Sequence, residues 1–318
     1  MSTGRSVEGL LPHRKDTMTS LDFGPLVLGG NTFGWTSSRD ESFAVLDAFV
    51  EAGGRSIDTA DVYSAWVPGN SGGESETVIG EWFARSGHRD DVVIATKVFS
   101  LAERPGLSAA NVRAAVDDSL RRLQTDRIDL YYAHRDDDSV AQEEYVGVFD
   151  ELVQAGKILE AGASNFSAER LRSAVSIATE AGLTAFTVAQ DQYNLVDRSF
   201  ETSLRDTLQE LGIVELPYSG LASGFLTGKY RPGQVVDSAR AGGASAYLDD
   251  PANVELLGTL DAIAADRSVP VAAVALAWLR QQRTVAAPIA SARTVEQLPA
   301  LVQSFGLELS PEELTRLG

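Results

Sequence analysis

Eight short apolar segments, separated by longer amphipathic ones, constrain the fold of this chain more than any other feature. The short segments are rich in β-branched residues and lie at 25–29, 55–58, 91–96, 127–133, 157–163, 185–190, 212–216 and 284–289. Between them, apolar residues recur at helical spacing, as at Val112, Val116 and Leu120. Strands that alternate with helices at intervals of roughly 30 residues are typical of βαβ units in a parallel sheet.

The number of these units favours a closed barrel. A (β/α)₈ barrel typically has about 250 residues, and the eight units here extend over 25–305 of a 318-residue chain. The sequence therefore predicts an α/β fold with a single (β/α)₈ TIM barrel, a long loop at 219–251 between strands 7 and 8, and an extra C-terminal helix. We expect residues 1–20 to form a flexible tail and residues 21–318 to form the catalytic domain.

An open doubly wound sheet is the alternative topology, and the segment GGNTFG at 29–34 could be offered as its dinucleotide-binding fingerprint. That fingerprint requires glycine at its third position, where this chain has Asn31. The barrel is therefore the preferred prediction.

Composition excludes several classes of function. The chain has no cysteine, which excludes a disulfide framework and a thiol nucleophile, and its three histidines lie far apart without metal-ligand spacing. A net charge of -18 disfavours nucleic-acid binding. The longest uncharged apolar run, at 269–279, is about half of the roughly 20 residues that cross a bilayer. We predict a cytoplasmic protein with no metal site and with neither a nucleic acid nor a membrane as partner.

Polar residues follow each of the eight predicted strands. Since the active sites of such barrels lie at the carboxyl ends of the strands, these residues should share one rim. In strand order they are Gly30 and Asn31, Asp58, Lys97, His134, Ser164 and Asn165, Gln190, Tyr218 and Ser219, and Ser291 and Arg293.

Four residues at this rim form a chemically coherent set, namely Asp58, Tyr63, Lys97 and His134. Lys97 is one of only four lysines in the chain. Its ammonium would lower the pKa of a neighbouring tyrosine from about 10, while Asp58 would keep it charged. A neutral His134 would orient a carbonyl oxygen or relay a proton. The set predicts a site that protonates a carbonyl oxygen while hydride attacks the carbon.

Seven motifs, in order, resemble the aldo-keto reductase superfamily, and most of all its bacterial branch related to potassium-channel β-subunits. They are IDTADVY, ATK, SLRRLQTDRIDLYYAH, GKILEAGASNF, QDQYN, YSGLASGFLTGKY and IASARTVEQL, spread over about residues 26–314. The resemblance implies the same barrel, NADPH as cofactor, and a catalytic tetrad of Asp58, Tyr63, Lys97 and His134 with Tyr63 as the general acid.

The resemblance also implies the cofactor contacts. Ser164, Asn165 and Gln190 match residues that hold the carboxamide, and Tyr218 matches the aromatic ring that stacks on the nicotinamide. The backbone of Ser219, Leu221, Ser223 and Gly224 matches the loop around the pyrophosphate. Ser291, Arg293 and Gln297 match the segment that binds the 2′-phosphate, and Gly30, Asn31 and Asp58 complete the set. Ala300 and Leu301 stand where the family has Glu and Asn at the adenine site.

The substrate is predicted to be a small carbonyl compound that enters an apolar mouth. The residues predicted to form that mouth are Trp35, Trp66, Val98, Phe99 and Tyr247. The leading hypothesis is the NADPH-dependent reduction of an aldehyde, ketone or keto-sugar to an alcohol. Two alternatives stay open: a cofactor-binding regulatory subunit that senses redox state, and a Schiff-base lyase with Lys97 as nucleophile. The sequence leaves the oligomeric state open.

Overall fold

The computed structural model describes residues 18–238 and 241–318. Within them, eight parallel strands form one sheet in the order β7-β6-β5-β4-β3-β2-β1-β8. Their bounds are β1 Val27–Gly29, β2 Ser56–Asp58, β3 Val93–Val98, β4 Ile128–Ala133, β5 Ile158–Ser164, β6 Phe186–Gln190, β7 Val214–Glu215 and β8 Ile289–Ala290. Each strand follows its neighbour around the sheet, as a barrel with right-handed βαβ crossovers requires.

Hydrogen bonds between β7 and the segment before β8 close the sheet. The Glu215 N–H donates to the Thr284 carbonyl at 2.8 Å, and the Ala286 N–H donates to the Glu215 carbonyl at 2.9 Å. Further up, the Ile289 N–H donates to the Pro217 carbonyl at 2.9 Å. The predicted (β/α)₈ barrel is confirmed.

The eighth strand is shorter than the sequence pattern predicts. The expected strand at 284–289 contributes only single bridging bonds before β8 begins at Ile289. Pro288 lacks an N–H and so cannot donate to a neighbouring strand, although its carbonyl accepts the N–H of Val27 at 3.0 Å. The proline therefore delays the regular part of the strand.

Helices cover the outside of the barrel. Their bounds are α1 Arg39–Glu51, α2 Glu74–Ser86, α3 Ala109–Leu123, α4 Gln142–Gln154, α5 Ala168–Ala181, α6 Phe200–Ser203, α7 Arg205–Leu211, α8 Ala241–Ser245, α9 Pro251–Arg267, α10 Val271–Arg280, α11 Leu298–Val302 and α12 Pro311–Leu317. The predicted extra C-terminal helix is α12, which begins with a Ser310–Glu313 capping box. An ion pair between Glu313 and Arg267 at 2.5 Å joins it to α9.

Strand alternation divides the core into two layers. In β3, Ala95 packs inside the barrel with Leu130 and Val188, whereas Ile94 and Val98 belong to the layer between sheet and helices. Because successive side chains point to opposite faces of a strand, Lys97 shares the inner face with Ala95. The sheet therefore carries Lys97 into the barrel, near its carboxyl-end rim.

Residues 1–17 of the predicted tail lie outside the described residues. At its end, the Ser20 N–H and hydroxyl donate to Glu160 Oε1 at 2.7 and 2.8 Å. Among the described residues, no single helix is long and apolar enough to cross a membrane; only the pair α9 and α10, bent by 98°, meets that criterion jointly.

Candidate active site

Three of the predicted catalytic residues meet near the rim, where a buried lysine contacts the other two. Asp58 is the last residue of β2, Tyr63 lies in the turn that follows it, and Lys97 comes from the neighbouring strand β3. The Lys97 ammonium lies 2.6 Å from Asp58 Oδ2, 2.7 Å from the Thr59 carbonyl and 3.1 Å from the Tyr63 hydroxyl. All three ammonium protons thus have an acceptor, and the lysine has no exposed surface.

The pKa shifts in this cluster keep the Lys97 ammonium and the Tyr63 phenol protonated. Burial by itself would lower the pKa of Lys97, but Asp58 and Tyr63 outweigh it and the pKa of Lys97 is raised. Burial raises the pKa of Tyr63, and Lys97 offsets only part of that rise. The net direction for Tyr63 is opposite to the expected lowering, although the contribution of Lys97 has the expected sign. The phenol is therefore a protonated donor at neutral pH.

His134 follows β4 and faces Tyr63, with ring centroids 6.4 Å apart. Burial, followed by the charges of Lys97 and Arg135, lowers the pKa of His134 to about 3. The imidazole is neutral at physiological pH, so one ring nitrogen carries a proton to donate. Its Nδ1 atom has no hydrogen-bond partner within residues 18–238 and 241–318.

Side chains from the other side of the barrel support this cluster. Gln190, at the end of β6, donates from Nε2 to Asp58 Oδ1 at 2.9 Å, and the Ser164 hydroxyl donates to the Gln190 carbonyl at 2.7 Å. Asn165, in a left-handed conformation with φ 57°, donates to the His134 carbonyl at 3.1 Å. Its Oδ1 accepts the Tyr218 hydroxyl at 2.8 Å. The network links the ends of five strands: β2, β4, β5, β6 and β7.

A cavity of about 600 Å³ opens above these residues. Sixteen of the predicted site residues line it: Asn31, Trp35, Asp58, Tyr63, His134, Ser164, Asn165, Gln190, Tyr218, Ser219, Leu221, Ser223, Gly224, Ser291, Arg293 and Gln297. Ala300 and Leu301 also belong to its wall. The structure thus brings both the predicted catalytic residues and most of the predicted cofactor residues to one cavity.

Two predicted site residues lie behind the cavity wall rather than in it. Lys97 reaches the site only through Asp58 and Tyr63. Gly30 contributes backbone alone: its N–H donates to the Asp58 carbonyl at 2.7 Å, and its carbonyl accepts the Ser75 hydroxyl at 2.8 Å. Both positions hold Asp58 and its loop in place.

Four of the predicted substrate residues do not line this cavity. Val98 is fully buried in the layer between sheet and helices, and Phe99 packs against the same layer. Tyr247 stacks on Phe225 with ring centroids 5.3 Å apart. Trp66, 49% exposed, packs edge-on against Trp35, a lining residue, at 5.5 Å.

Sequence reasoning missed two cations in the cavity wall, Arg135 and Lys229. Each had a signal: Arg135 directly follows His134, and Lys229 is the next-to-last residue of the motif YSGLASGFLTGKY. With Arg293 they make three basic side chains, and none forms an ion pair with a described residue. In a chain of net charge -18, three basic side chains in one cavity wall favour an anionic ligand.

The loop after β7 offers a second anion-binding feature. Ser219 and Ser223 have φ 57° and Gly224 has φ 96°, and the N–H groups of Gly220 and Leu221 donate to no acceptor within the described residues. Backbone N–H groups left free in such turns form concave anion sites. The loop and the cations fit the phosphates of a dinucleotide.

The family model described as "Aldo/keto reductase family" matches residues 25–318. The chain belongs to the aldo/keto reductase family. It is 34% identical to norsolorinic acid reductase stcV of Emericella nidulans, over 91% of this chain and 76% of the relative. It is 32% identical to Protein tas of Escherichia coli, over 96% and 95%. It is 31% identical to the putative aryl-alcohol dehydrogenase AAD14 of Saccharomyces cerevisiae, over 92% and 82%.

This aldo/keto reductase is therefore an oxidoreductase. Its family uses a nicotinamide cofactor, typically NADP, and acts on small carbonyl compounds. The narrower relation to potassium-channel β-subunits stays a prediction.

Proposed function

We propose that the chain is a cytoplasmic NADPH-dependent carbonyl reductase, that residues 21–318 are one catalytic domain, and that Tyr63 is the general acid. One observation carries the proposal: the Tyr63 hydroxyl, in the cavity wall, lies 3.1 Å from the ammonium of a lysine that is fully buried and paired with Asp58. The substrates we propose are aldehydes, ketones and keto-sugars.

The chain's own residues handle the proton of the reaction. Bound NADPH supplies a hydride to the carbonyl carbon. Tyr63 donates its phenolic proton to the carbonyl oxygen, and the Lys97 ammonium stabilises the phenolate that remains. Asp58 holds Lys97 charged and in place, and the neutral His134 donates a hydrogen bond to the same oxygen. Hydride and proton together convert the carbonyl to an alcohol.

In this proposal, NADPH lies in the cavity with its nicotinamide near Tyr63. Tyr218, Asn165 and Gln190 would hold the nicotinamide end, beside the catalytic residues. The loop at 219–224 and Lys229 would hold the pyrophosphate. Arg293 would hold the 2′-phosphate, because its planar fork matches phosphate oxygens. Ala300 and Leu301 give the adenine an apolar surface.

Aromatic carbonyl compounds are the first substrates to examine. Trp35 lines the cavity and packs with Trp66, whose ring centroid also lies 6.2 Å from that of Tyr63. Two relatives are named as a norsolorinic acid reductase and an aryl-alcohol dehydrogenase. An aromatic wall beside the acid suits a planar aromatic substrate.

The lyase alternative has no support in the geometry. A Schiff base requires a neutral, accessible lysine amine. Lys97 has no exposed surface, all its protons have acceptors, and its pKa is raised rather than lowered.

Substitution of Tyr63 by phenylalanine tests the proposal. We expect Tyr63→Phe to lower the kcat for an aromatic aldehyde by about 10²- to 10⁴-fold, since it removes the general acid. The dissociation constant for NADPH, measured by fluorescence quenching, should stay nearly the same. Tyr247→Phe is the control, because that tyrosine lies outside the cavity wall. Turnover retained in Tyr63→Phe would rule out the proposed acid.

A further inference from the structure

Arg135 is a cation at the reactive end of the cavity that no described residue neutralises. It directly follows His134 and lines the cavity. After burial and Lys97, its charge contributes to the low pKa of His134, and it also lowers the pKa of Tyr218 against the stronger effect of burial. Arg135 is thus next to the proposed catalytic imidazole along the chain, and its charge acts on both His134 and Tyr218.

The acidic run that follows Arg135 is engaged elsewhere. Residues 136–138 are three aspartates. The first and third face Arg170, at 2.5 and 3.7 Å. The second accepts the N–H of Leu107 at 2.7 Å. Arg135 is exposed, and the five donors of its guanidinium can reach an acceptor from outside the chain.

The proposed cofactor does not supply that acceptor. One ribose separates the pyrophosphate of a dinucleotide from the nicotinamide, and the 2′-phosphate lies farther away at the adenosine end. The loop at 219–224 and Lys229 would hold the pyrophosphate, and Arg293 would hold the 2′-phosphate. The nicotinamide end carries only a neutral carboxamide and a ring that is neutral or cationic. Arg135, beside His134, therefore has no negative partner on the nicotinamide ring or its carboxamide, and the other occupant of this end of the site is the substrate.

We propose that Arg135 is a specificity residue that binds a carboxylate carried by an aromatic carbonyl substrate, opposite the carbonyl that Tyr63 protonates. The inference rests on the proposed function and names its substrate class. The arginine fork can donate to both carboxylate oxygens, and Trp35, with Trp66 packed behind it, supplies the aromatic wall.

A matched pair of substrates measures the effect. We compare para-carboxybenzaldehyde with its methyl ester, which keeps the ring and the aldehyde but removes the charge. The wild-type enzyme should prefer the carboxylate in kcat/KM. In Arg135→Gln the ratio of the two values should fall by about 10- to 100-fold, the effect of losing a charged hydrogen bond. Arg135→Lys, which keeps the charge but not the fork, should retain part of the preference.

Arg55→Gln is the control for the loss of one positive charge. Arg55 precedes β2, at the opposite end of the barrel, and its side chain is exposed. It should leave the ratio unchanged. An unchanged ratio in Arg135→Gln, or no carboxylate preference in the wild type, overturns the inference. So does a raised KM for NADPH with an unchanged ratio, because Arg135 would then serve the cofactor.

A binding measurement separates this inference from the proposed function. Para-toluate and para-toluamide share a shape but not a charge, and neither can be reduced. Their binding to the NADP⁺-loaded protein is followed by tryptophan fluorescence. Tighter binding of toluate in the wild type, lost in Arg135→Gln, supports the carboxylate site even if no carbonyl is turned over. Equal binding of the two ligands in the wild type overturns it.

Discussion

The central residues of this site are held by a balance of charge and burial. A lysine with no exposed surface is tolerated because Asp58, Thr59 and Tyr63 accept its protons. Removing one partner of a buried ion pair costs about 3 to 5 kcal/mol, because the other charge is left uncompensated. Asp58 therefore stabilises the fold in addition to the catalytic role that we propose for it.

The protonation state of His134 is a testable consequence of its burial. Its pKa of about 3 keeps the ring neutral over the whole physiological range. The chain has only three histidines, so their imidazole NMR signals can be followed separately, and His134→Gln assigns the relevant one. We expect the His134 signals to stay at their neutral positions from about pH 8 to pH 5. A titration with a midpoint near 6.5, the ordinary value, would contradict the structure.

At the scale of elements, the contact between α2 and α3 depends on a missing side chain. A Cβ on Gly80 would lie 2.1 Å from the Arg122 carbonyl oxygen, which is backbone and cannot rotate away. In α4, by contrast, a Cβ on Gly147 would meet nothing within 4 Å. The two helices therefore use glycine for different reasons.

Alanine substitutions at these two glycines should change the free energy of unfolding in opposite directions. Gly80→Ala should lower the free energy of unfolding by about 1 to 3 kcal/mol, because α2 must move away from α3. Gly147→Ala should raise it by about 0.5 to 1 kcal/mol, because alanine restricts the unfolded chain and favours the helix. The free energies of unfolding of both variants, measured with urea, test these two predictions. Equal effects would show that the α2–α3 contact is looser than described.

The sequence predicted the strands well because their order and hydrophobic pattern determine the barrel. It missed the late start of β8. That start depends on Pro288, which has no N–H to donate to a neighbouring strand. It also placed Val98 at the substrate mouth by counting from a strand end. Strand alternation sends Val98 outward once Lys97 points inward. Arg135 and Lys229 were missed because loop side chains have no periodicity to follow.

Over the whole molecule, buried carboxyl groups should make stability depend on pH. Burial, and then the nearby charge of Glu76, raise the pKa of Asp61 to about 7, well above its usual value of about 3.9. The folded state then binds a proton that the unfolded state has lost. The stabilising contribution of Asp61 is full below about pH 4 and is lost as the pH rises through 7.

Substitution of Asp61 by asparagine should remove that loss. The quantity to follow is the free energy of unfolding of Asp61→Asn minus that of the wild type. This difference should increase by about 2 to 3 kcal/mol between pH 5 and pH 8. Denaturant unfolding at the two pH values measures it, and other buried carboxyl groups cancel in the difference. Asp126→Asn, at a 93% exposed side chain, should show no such change. Parallel pH curves for Asp61→Asn and wild type would contradict the assignment.

The whole molecule is an acidic barrel with basic side chains in its cavity wall and a buried Asp58–Lys97 pair beneath it. We propose that it uses bound NADPH to reduce a carbonyl compound. A single-turnover experiment tests this most directly, with the protein, one equivalent of NADPH deuterated at the transferring position, and excess aromatic aldehyde. We expect one alcohol per NADPH consumed, with deuterium on the alcohol carbon. NADPH that binds tightly but stays reduced with every aldehyde and ketone offered would contradict it and indicate a redox-sensing subunit.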